Sequence, residues 1–244
     1  MNKTALVTGG CRGIGSAVVK RLCRDGFNVA LNYNSSEDKA KSLSSELSSL
    51  GYNVLAVQCD VSSGGSVKKM FETVRKKLGE VDLLVNNAGI AQQKLFTDIT
   101  DSDWDKMIGV DLSGAFYTCR EALPYMIRQK SGKIINVSSM WGQVGASCEV
   151  HYSAAKAGVI GLTKALAKEV GPSGITVNCV CPGVADTDMM SSFSKEDKDA
   201  LTEEIPLGRI ASADDIARVI SFLASDSADY ITGQIIPVNG GFVI

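Results

Sequence analysis

The chain is poor in the residues that usually hold metals or bind nucleic acids. It has a single histidine, His151, and its seven cysteines show no Cys-x-x-Cys spacing, so there is little basis for a metal site. Its 25 lysines and arginines are balanced by 27 acidic residues without a basic block, so nucleic acid is not an expected partner. No apolar run approaches the length of a membrane-spanning helix, and we expect none to cross a bilayer.

Length and composition suit a protein with one large core. The 244 residues, of which 45% are hydrophobic, can bury one substantial core, and we expect residues 1–244 to form a single dinucleotide-binding domain. The first residues lead directly into an apolar, β-forming segment without a signal-peptide pattern. We therefore expect a cytoplasmic protein whose cysteines are reduced and serve as small core residues.

Short apolar segments alternate with amphipathic segments along the whole chain. The apolar segments are nearly continuous, as expected for parallel strands that are buried on both faces. This alternation predicts an α/β fold, a doubly wound parallel sheet (Rossmann fold) of about seven strands with helices on both faces. The predicted strands are 4–8, 28–32, 53–58, 81–86, 133–138, 175–180 and 234–238, and the predicted helices are about 13–25, 36–50, 63–79, 101–130, 150–170 and 212–225.

Ligands of such sheets bind beyond the carboxyl ends of the strands. Polar or small residues occupy most of those ends in the predicted arrangement, which places a candidate site there. They are Thr8, Asn32, Asp60, Asn86, Ser139 and Cys181.

A glycine-rich loop, residues 9–15, follows the first predicted strand. Apolar residues then recur at helical spacing until Asp25 and Gly26 end the helix. The order of strand, glycine loop and helix is the context that a dinucleotide site requires. Glycines let the backbone approach a pyrophosphate, whose charge lies at the helix N-terminus.

Tyr152 and Lys156 are one helical turn apart, and Ser139 lies thirteen residues before Tyr152. Residues four apart share a helix face, so a phenol and an ammonium are held side by side. A cation about 4 Å away at an effective dielectric near 20 contributes ~4 kcal/mol, or roughly three pKa units at most. The pair therefore predicts a tyrosine whose pKa is moved towards neutrality for acid–base chemistry. By itself, the same spacing also occurs in ordinary surface helix pairs.

Taken together, these motifs resemble the classical short-chain dehydrogenase/reductases, and the resemblance covers the whole chain. The glycine loop has the spacing Thr-Gly-x-x-x-Gly-x-Gly, residues 86–89 read Asn-Asn-Ala-Gly, and residues 239–241 read Asn-Gly-Gly. The resemblance implies that Ser139, Tyr152 and Lys156 are catalytic. It also implies a dinucleotide held by Gly9, Arg12, Gly13, Ile14, Gly15, Asn32, Asp60, Val61, Asn87, Ala88, Gly89, Tyr152, Lys156, Pro182, Gly183, Val184 and Thr187.

The resemblance implies a specific mechanism. A reduced nicotinamide delivers hydride to a ketone carbon while Tyr152 protonates the carbonyl oxygen. Ser139 orients that carbonyl. Lys156 lowers the tyrosine pKa and holds the ribose hydroxyls of the cofactor. His151 is expected to be structural or to line the wall of the site.

The end of the second predicted strand indicates the cofactor. Enzymes that prefer NAD usually place an acidic residue there, which accepts from the ribose 2′-hydroxyl. Here Asn32 is followed by no carboxylate before Glu37, and Arg12 lies inside the glycine loop. Because a guanidinium suits a phosphate dianion, we expect NADP. The other interpretation of Arg12 is a solvated side chain.

One position departs from the family pattern. Members usually have an asparagine in the long helix before the fifth strand, where it anchors a proton relay to the lysine, and this chain has Asp111. An ionised carboxylate accepts hydrogen bonds but cannot donate them, and it would raise the pKa of Lys156. We interpret Asp111 as a modified relay in a working enzyme.

The substrate is less well defined by the sequence. Residues 184–209, with Met189, Met190 and Phe193, are expected to form a mobile lid. The chain is similar to bacterial 3-oxoacyl-acyl-carrier-protein reductases, which implies an acyl carrier protein partner and a homotetramer. Arg128, Lys130 and Lys133 are candidates for carrier docking, although Ser173 stands where a second arginine is expected.

Two alternatives remain open at this point. The segment from Trp141 to Val150 also resembles a Gram-positive branch similar to the reductase of the 5-aminopentanone group on elongation factor P. A cofactor-binding sensor or scaffold without turnover is the alternative from a different class, and Asp111 is its only support.

Overall fold

The computed structural model describes residues 3–187, 190 and 193–244. Within them, seven strands form one parallel sheet in the order β3-β2-β1-β4-β5-β6-β7. The predicted fold class is confirmed, because the order reverses direction after β1, as in a doubly wound sheet. The strands are β1 Thr4–Val7, β2 Asn28–Tyr33, β3 Val54–Gln58, β4 Leu83–Asn86, β5 Gly132–Val137, β6 Ile175–Pro182 and β7 Ile235–Val238.

Helices cover both faces of this sheet and bury their apolar sides against it. One core layer joins the sheet to α1, α2 and α9, through residues such as Leu22 and Ile220. The opposite layer joins it to α3, α5 and α7, through residues such as Met70 and Met126. The helices are α1 Gly13–Arg24, α2 Glu37–Ser49, α3 Gly64–Leu78, α4 Asp101–Ile108, α5 Gly114–Gln129, α6 Trp141–Val144, α7 Val150–Val170, α8 Lys195–Glu204 and α9 Ala213–Ala224.

The prediction of a single α-helix over residues 101–130 is wrong, because the helix is interrupted in its middle. A π-helical turn, Gly109–Ser113, separates α4 from α5 and contains Asp111. Such a turn widens the helix by one residue and is frequent at functional sites. Here the Asp111 side chain is fully buried and faces Lys156 of α7, a tertiary contact that the local helical pattern does not encode.

Other boundaries shift by at most two residues, as is usual at element ends. Strand β6 continues two residues further than predicted, to Pro182. Helices α6 and α8 were not predicted. Helix α8 lies within the expected lid and begins at a capping box formed by Ser194 and Asp197. None of the helices in the described residues combines the length and apolar character needed to span a bilayer.

Candidate active site

The glycine loop forms a tight cradle between β1 and α1. Gly9 has a φ of +61°, in the left-handed region that favours glycine. A Cβ at Gly15 would lie 2.2 Å from the carbonyl oxygen of Gly9, and a Cβ at Gly13 would lie 3.3 Å from Thr187. The cradle therefore has no room for a side chain at Gly15 and little at Gly13, which fits the close approach of a dinucleotide pyrophosphate to the N-terminus of α1.

Thr8 and Asn87 fix this cradle to the end of the neighbouring strand. The Thr8 hydroxyl accepts from the backbone amides of Asn87 and Ala88, both at 3.0 Å. The Asn87 amide donates to the carbonyls of Thr8 and Gly9 at 3.0 and 3.1 Å. The residues after β4 thus support the glycine loop directly, and the role of Thr8 is visible only in the tertiary structure.

Asn32, Asp60 and Val61 lie at the carboxyl ends of β2 and β3, as predicted. The Asn32 oxygen accepts from the Gly9 amide at 3.2 Å, and its amide donates to the Cys59 carbonyl at 2.9 Å. The Asn32 side chain therefore joins the glycine loop to the strand ends, and its contact with a cofactor stays a prediction. Asp60 is exposed and accepts from Ser62, while Val61 is buried beside the π-helical turn.

Arg12 is exposed at the position that precedes α1. It forms no ion pair with any carboxylate in the described part of the chain. An exposed guanidinium beside a glycine cradle remains available for an anionic ligand.

The segment after β6 lies against both the cradle and the C-terminal loop. A Cβ at Gly183 would lie 2.7 Å from Asn239, so only glycine allows this approach. The Pro182 carbonyl accepts from the Met140 amide at 2.9 Å, and the Val184 carbonyl accepts from Ala211. Because Thr187 reaches Gly13, the predicted nicotinamide loop and the pyrophosphate loop share one cleft.

Ser139, Tyr152 and Lys156 meet at the carboxyl end of β5. Ser139 follows β5 and is buried, and its hydroxyl accepts from the Trp141 amide at 3.1 Å. The Lys156 ammonium lies 5.5 Å from the centre of the Tyr152 ring and donates to the Val137 carbonyl at 3.2 Å. The structure therefore brings together the three residues that the sequence singled out.

A buried polar chain, of which only Asn86 was singled out from the sequence, holds α5 and α7 against the strands. Thr118 of α5 donates to Asn86 at 2.6 Å, Asn86 donates to Asn136 at 2.9 Å, and Asn136 donates to Thr163 of α7 at 2.9 Å. Ser138 adds a bond of 2.8 Å to the Lys156 carbonyl. Polar residues inside apolar strands were the available signal, because buried polar groups require partners.

The surroundings of Tyr152 raise the pKa of its phenol and make it a weaker acid. Burial raises the pKa of its phenol, Lys156 opposes this rise, and Asp111 adds to it. The prediction that Lys156 moves this pKa towards neutrality is wrong for the protein by itself, because desolvation disfavours the phenolate more than the cation favours it. The Tyr152 residue is partly buried and keeps some solvent access.

Asp111 forms a buried ion pair with Lys156. Its Oδ2 lies 3.1 Å from Lys156 Nζ, and its Oδ1 accepts from the Ile90 amide at 2.9 Å. The contact is an ion pair, not a well-directed hydrogen bond, so Oδ2 keeps a free lone pair. Burial raises the pKa of the Asp111 carboxyl, which Lys156 and the Ile90 amide oppose.

The ion pair with Asp111 also affects the pKa of Lys156. Burial disfavours its ammonium, but Asp111 and Tyr152 stabilise the charge, and the net effect raises its pKa. This direction agrees with the prediction that Asp111 raises the pKa of Lys156. A Cβ at Gly89 would lie 2.7 Å from Asp111 Oδ2, so the loop after β4 closes directly over the pair.

His151 is completely buried, and one of its ring nitrogens is hydrogen-bonded to Gln92. Its Nε2 lies 2.9 Å from the Gln92 side-chain oxygen, and the Gln92 amide donates to Asp103 at 3.0 Å. Because that amide is already the donor to Asp103, the histidine donates to Gln92. Gln92 was not singled out from the sequence.

The predicted lid and docking residues have different surroundings. Met190 is buried and Phe193 is partly buried, whereas Met189 lies outside the described residues. Arg128 and Lys130 are exposed, but Lys133 is bound to Asp229 at 2.6 Å.

Comparisons with known proteins agree with this geometry. A family model described as enoyl-(acyl carrier protein) reductase matches residues 9–243. The 3-oxoacyl-[acyl-carrier-protein] reductase of Staphylococcus epidermidis is 46% identical over 241 residues, 99% of each chain. The protein of that name from Aquifex aeolicus is 42% identical over 98% of this chain and 96% of its own. An uncharacterized oxidoreductase of Bacillus subtilis is 42% identical over 99% of each chain.

A match over nearly the whole chain, together with the glycine cradle and the Ser139, Tyr152 and Lys156 cluster, defines the relationship. The chain belongs to the short-chain dehydrogenase/reductase family and is an oxidoreductase with a nicotinamide cofactor site.

Proposed function

We propose that the protein uses NADPH to reduce a 3-oxoacyl group, carried on acyl carrier protein, to the 3-hydroxyacyl group. The observation that carries the proposal is the meeting of Ser139, Tyr152 and Lys156 beside the glycine cradle. The relatives named 3-oxoacyl-[acyl-carrier-protein] reductase support the substrate class.

The side chains divide the work of ketone reduction. The bound cofactor supplies the hydride. Tyr152 donates its phenolic proton to the carbonyl oxygen, and its raised pKa keeps that proton in place at neutral pH. The Ser139 hydroxyl donates to the same oxygen and orients the carbonyl. Lys156, held charged by Asp111, stabilises the phenolate that remains.

The choice of NADPH depends on charge near the adenosine ribose. Arg12 is exposed without an ion-pair partner among the described residues, and β2 ends at Asn32 and Tyr33 without a carboxylate. A carboxylate there would repel a 2′-phosphate, whereas a guanidinium binds it.

We propose that exposed basic residues dock the carrier protein. Arg128 and Lys130 stand free at the end of α5, within the part of the chain that the structure describes. The neighbouring Lys133 contributes less, because Asp229 neutralises it at 2.6 Å. We place the protein in the cytoplasm, where its free cysteines, six of the seven buried, remain reduced.

We further propose a homotetramer. Large apolar side chains are exposed on α4 and α5, namely Trp104, Phe116 and Ile127. A second exposed group comprises Phe222 of α9, and Tyr230 and Ile244 in the segments before and after β7, the edge strand of the sheet. Two separate apolar surfaces are what a tetramer with two kinds of interface requires.

The test follows NADPH absorbance with acetoacetyl-CoA, in parallel with NADH and with Tyr152→Phe. Turnover that prefers NADPH and disappears in the variant supports the proposal. Binding of NADPH without oxidation by any ketone would instead support a sensor or scaffold. Turnover of a protein-bound 5-aminopentanone with none of acetoacetyl-CoA would support the elongation factor P alternative, which the names of the relatives do not favour.

A further inference from the structure

The Ser139 hydroxyl can orient a substrate carbonyl only if the hydroxyl itself is held in one direction. Its oxygen accepts from the Trp141 backbone amide at 3.1 Å, and this contact occupies one lone pair. The hydroxyl proton stays free to donate, since a hydroxyl can accept and donate at the same time. The position of the Trp141 amide therefore sets the direction in which Ser139 can donate.

This amide belongs to the first residue of α6, a helix of only four residues. A single helical turn is unstable by itself, because its formation fixes several residues in return for one hydrogen bond. Contacts with the rest of the protein must hold it. On the side of α7 the turn is held through Gly142, where a Cβ would lie 2.7 Å from Ser138 Oγ and 2.8 Å from the Lys156 carbonyl carbon.

The Trp141 ring holds the same turn through the C-terminal segment. It meets the Phe242 ring edge to face, with centroids 5.9 Å apart and an interplanar angle of 85°. Both residues are partly buried, whereas residues 143–145 are exposed. Trp141 and Gly142 therefore provide the packing that fixes this turn against the protein.

Phe242 is itself held in place by Asn239. The Asn239 side-chain oxygen accepts from the Gly241 amide at 3.0 Å, and its amide donates to the Val243 carbonyl at 2.7 Å. The Phe242 amide donates to the Asn239 carbonyl at 3.2 Å. The backbone is thus bonded on both sides of Phe242, so its ring has a defined position from which to hold Trp141.

We propose that Phe242 is a positioning residue for ketone reduction, because it fixes the Trp141 ring and thereby the amide that orients Ser139. The inference rests on the ketone-reducing activity proposed above, in which Ser139 binds the carbonyl. It assigns a role to a side chain near the end of the chain, which reaches the site only through the fold.

The test compares Phe242→Leu with Phe242→Tyr. The first variant stays apolar but has no ring, and we expect kcat with acetoacetyl-CoA and NADPH to fall about tenfold, the effect of one misdirected hydrogen bond. The second keeps the ring, and its kcat should stay close to that of the wild type. Calorimetry should show unchanged NADP⁺ binding in both variants.

Phe27→Leu is the matched control. It makes the same substitution at a partly buried phenylalanine that precedes β2, at the amino ends of the strands. Ser139 lies at their carboxyl ends, so Phe27→Leu should leave kcat unchanged.

Two measurements separate positioning from a general structural role. In a Ser139→Ala protein there is no hydroxyl to orient, so adding Phe242→Leu should cause no further loss of kcat. Hydrogen exchange of the Trp141 amide, which requires no turnover, should become about tenfold faster in Phe242→Leu and stay unchanged in Phe27→Leu.

A wild-type kcat in Phe242→Leu would overturn this inference and leave the proposed function intact. An equal loss of kcat in Phe27→Leu, or a further tenfold loss in the Ser139→Ala protein, would also overturn it and would indicate a structural role. If the wild-type protein reduces no ketone, the proposed function fails. Exchange of the Trp141 amide then decides separately whether Phe242 holds this amide, since an unchanged rate in Phe242→Leu would exclude it.

Discussion

Replacement of Asp111 by asparagine removes one charge from the centre of the site and keeps its shape. The carboxylate lies 3.1 Å from Lys156 Nζ, which is 5.5 Å from the centre of the Tyr152 ring. These two distances place the carboxylate at most about 9 Å from the ring centre. At that separation and an effective dielectric near 20, it disfavours the phenolate by about 2 kcal/mol, or about one pKa unit. Since Asp111 raises the pKa of Tyr152, Asp111→Asn is expected to lower it.

The pH dependence of kcat/KM for ketone reduction measures this shift. Tyr152 donates a proton in the reaction, so activity falls as pH rises through its pKa. Asp111→Asn should lower the pH at which activity is lost on this basic limb by about one unit. The asparagine oxygen still accepts from the Ile90 amide, so we expect activity at neutral pH to be kept or raised.

Two results would refute this reasoning. A large fall in kcat with an unchanged basic limb would show that the carboxylate has a role of its own. A limb that moves upwards would show that Lys156 has lost its charge without Asp111. Asp105→Asn, which makes the same substitution on the exposed face of α4, is the matched control and should leave the profile unchanged.

Three further predictions concern the cofactor cradle and the core. Arg12→Gln should reduce the ratio of kcat/KM for NADPH over NADH by about tenfold or more, because a charge-assisted phosphate contact is lost. Gly15→Ala should abolish cofactor binding in calorimetry, since its Cβ would lie 2.2 Å from the Gly9 carbonyl, whereas Gly161→Ala, with open space around it, should bind normally. Asn136→Leu should lower the free energy of unfolding in urea by about 2 kcal/mol, because buried partners in two elements lose their hydrogen bonds.

Local patterns were sufficient for the architecture. Apolar strands, amphipathic helices and the glycine loop are each encoded within a few neighbouring residues, and the alternation of strand and helix permits few topologies. Tyr152 and Lys156 are four residues apart on one helix, so helix geometry alone places them on the same face. These features depend on backbone geometry, which the sequence specifies locally.

Other features could not be predicted from local patterns, because they depend on surroundings that are remote in sequence. The π-helical turn at Asp111 forms opposite Lys156, forty-five residues further along the chain. The acidity of Tyr152 depends on how much protein covers the phenol, and this desolvation opposes the nearby cation. The availability of Lys133 for docking depends on Asp229, which the fold brings to 2.6 Å.

The sequence by itself determined the fold class, the cradle and the identity of the three central side chains, because their signals are periodic or closely spaced. Only the tertiary structure decided which charges stand together. It buried Asp111 against Lys156 and paired Lys133 with Asp229. Electrostatic energies depend on distance and desolvation in space, and neither quantity is contained in the order of residues along the chain.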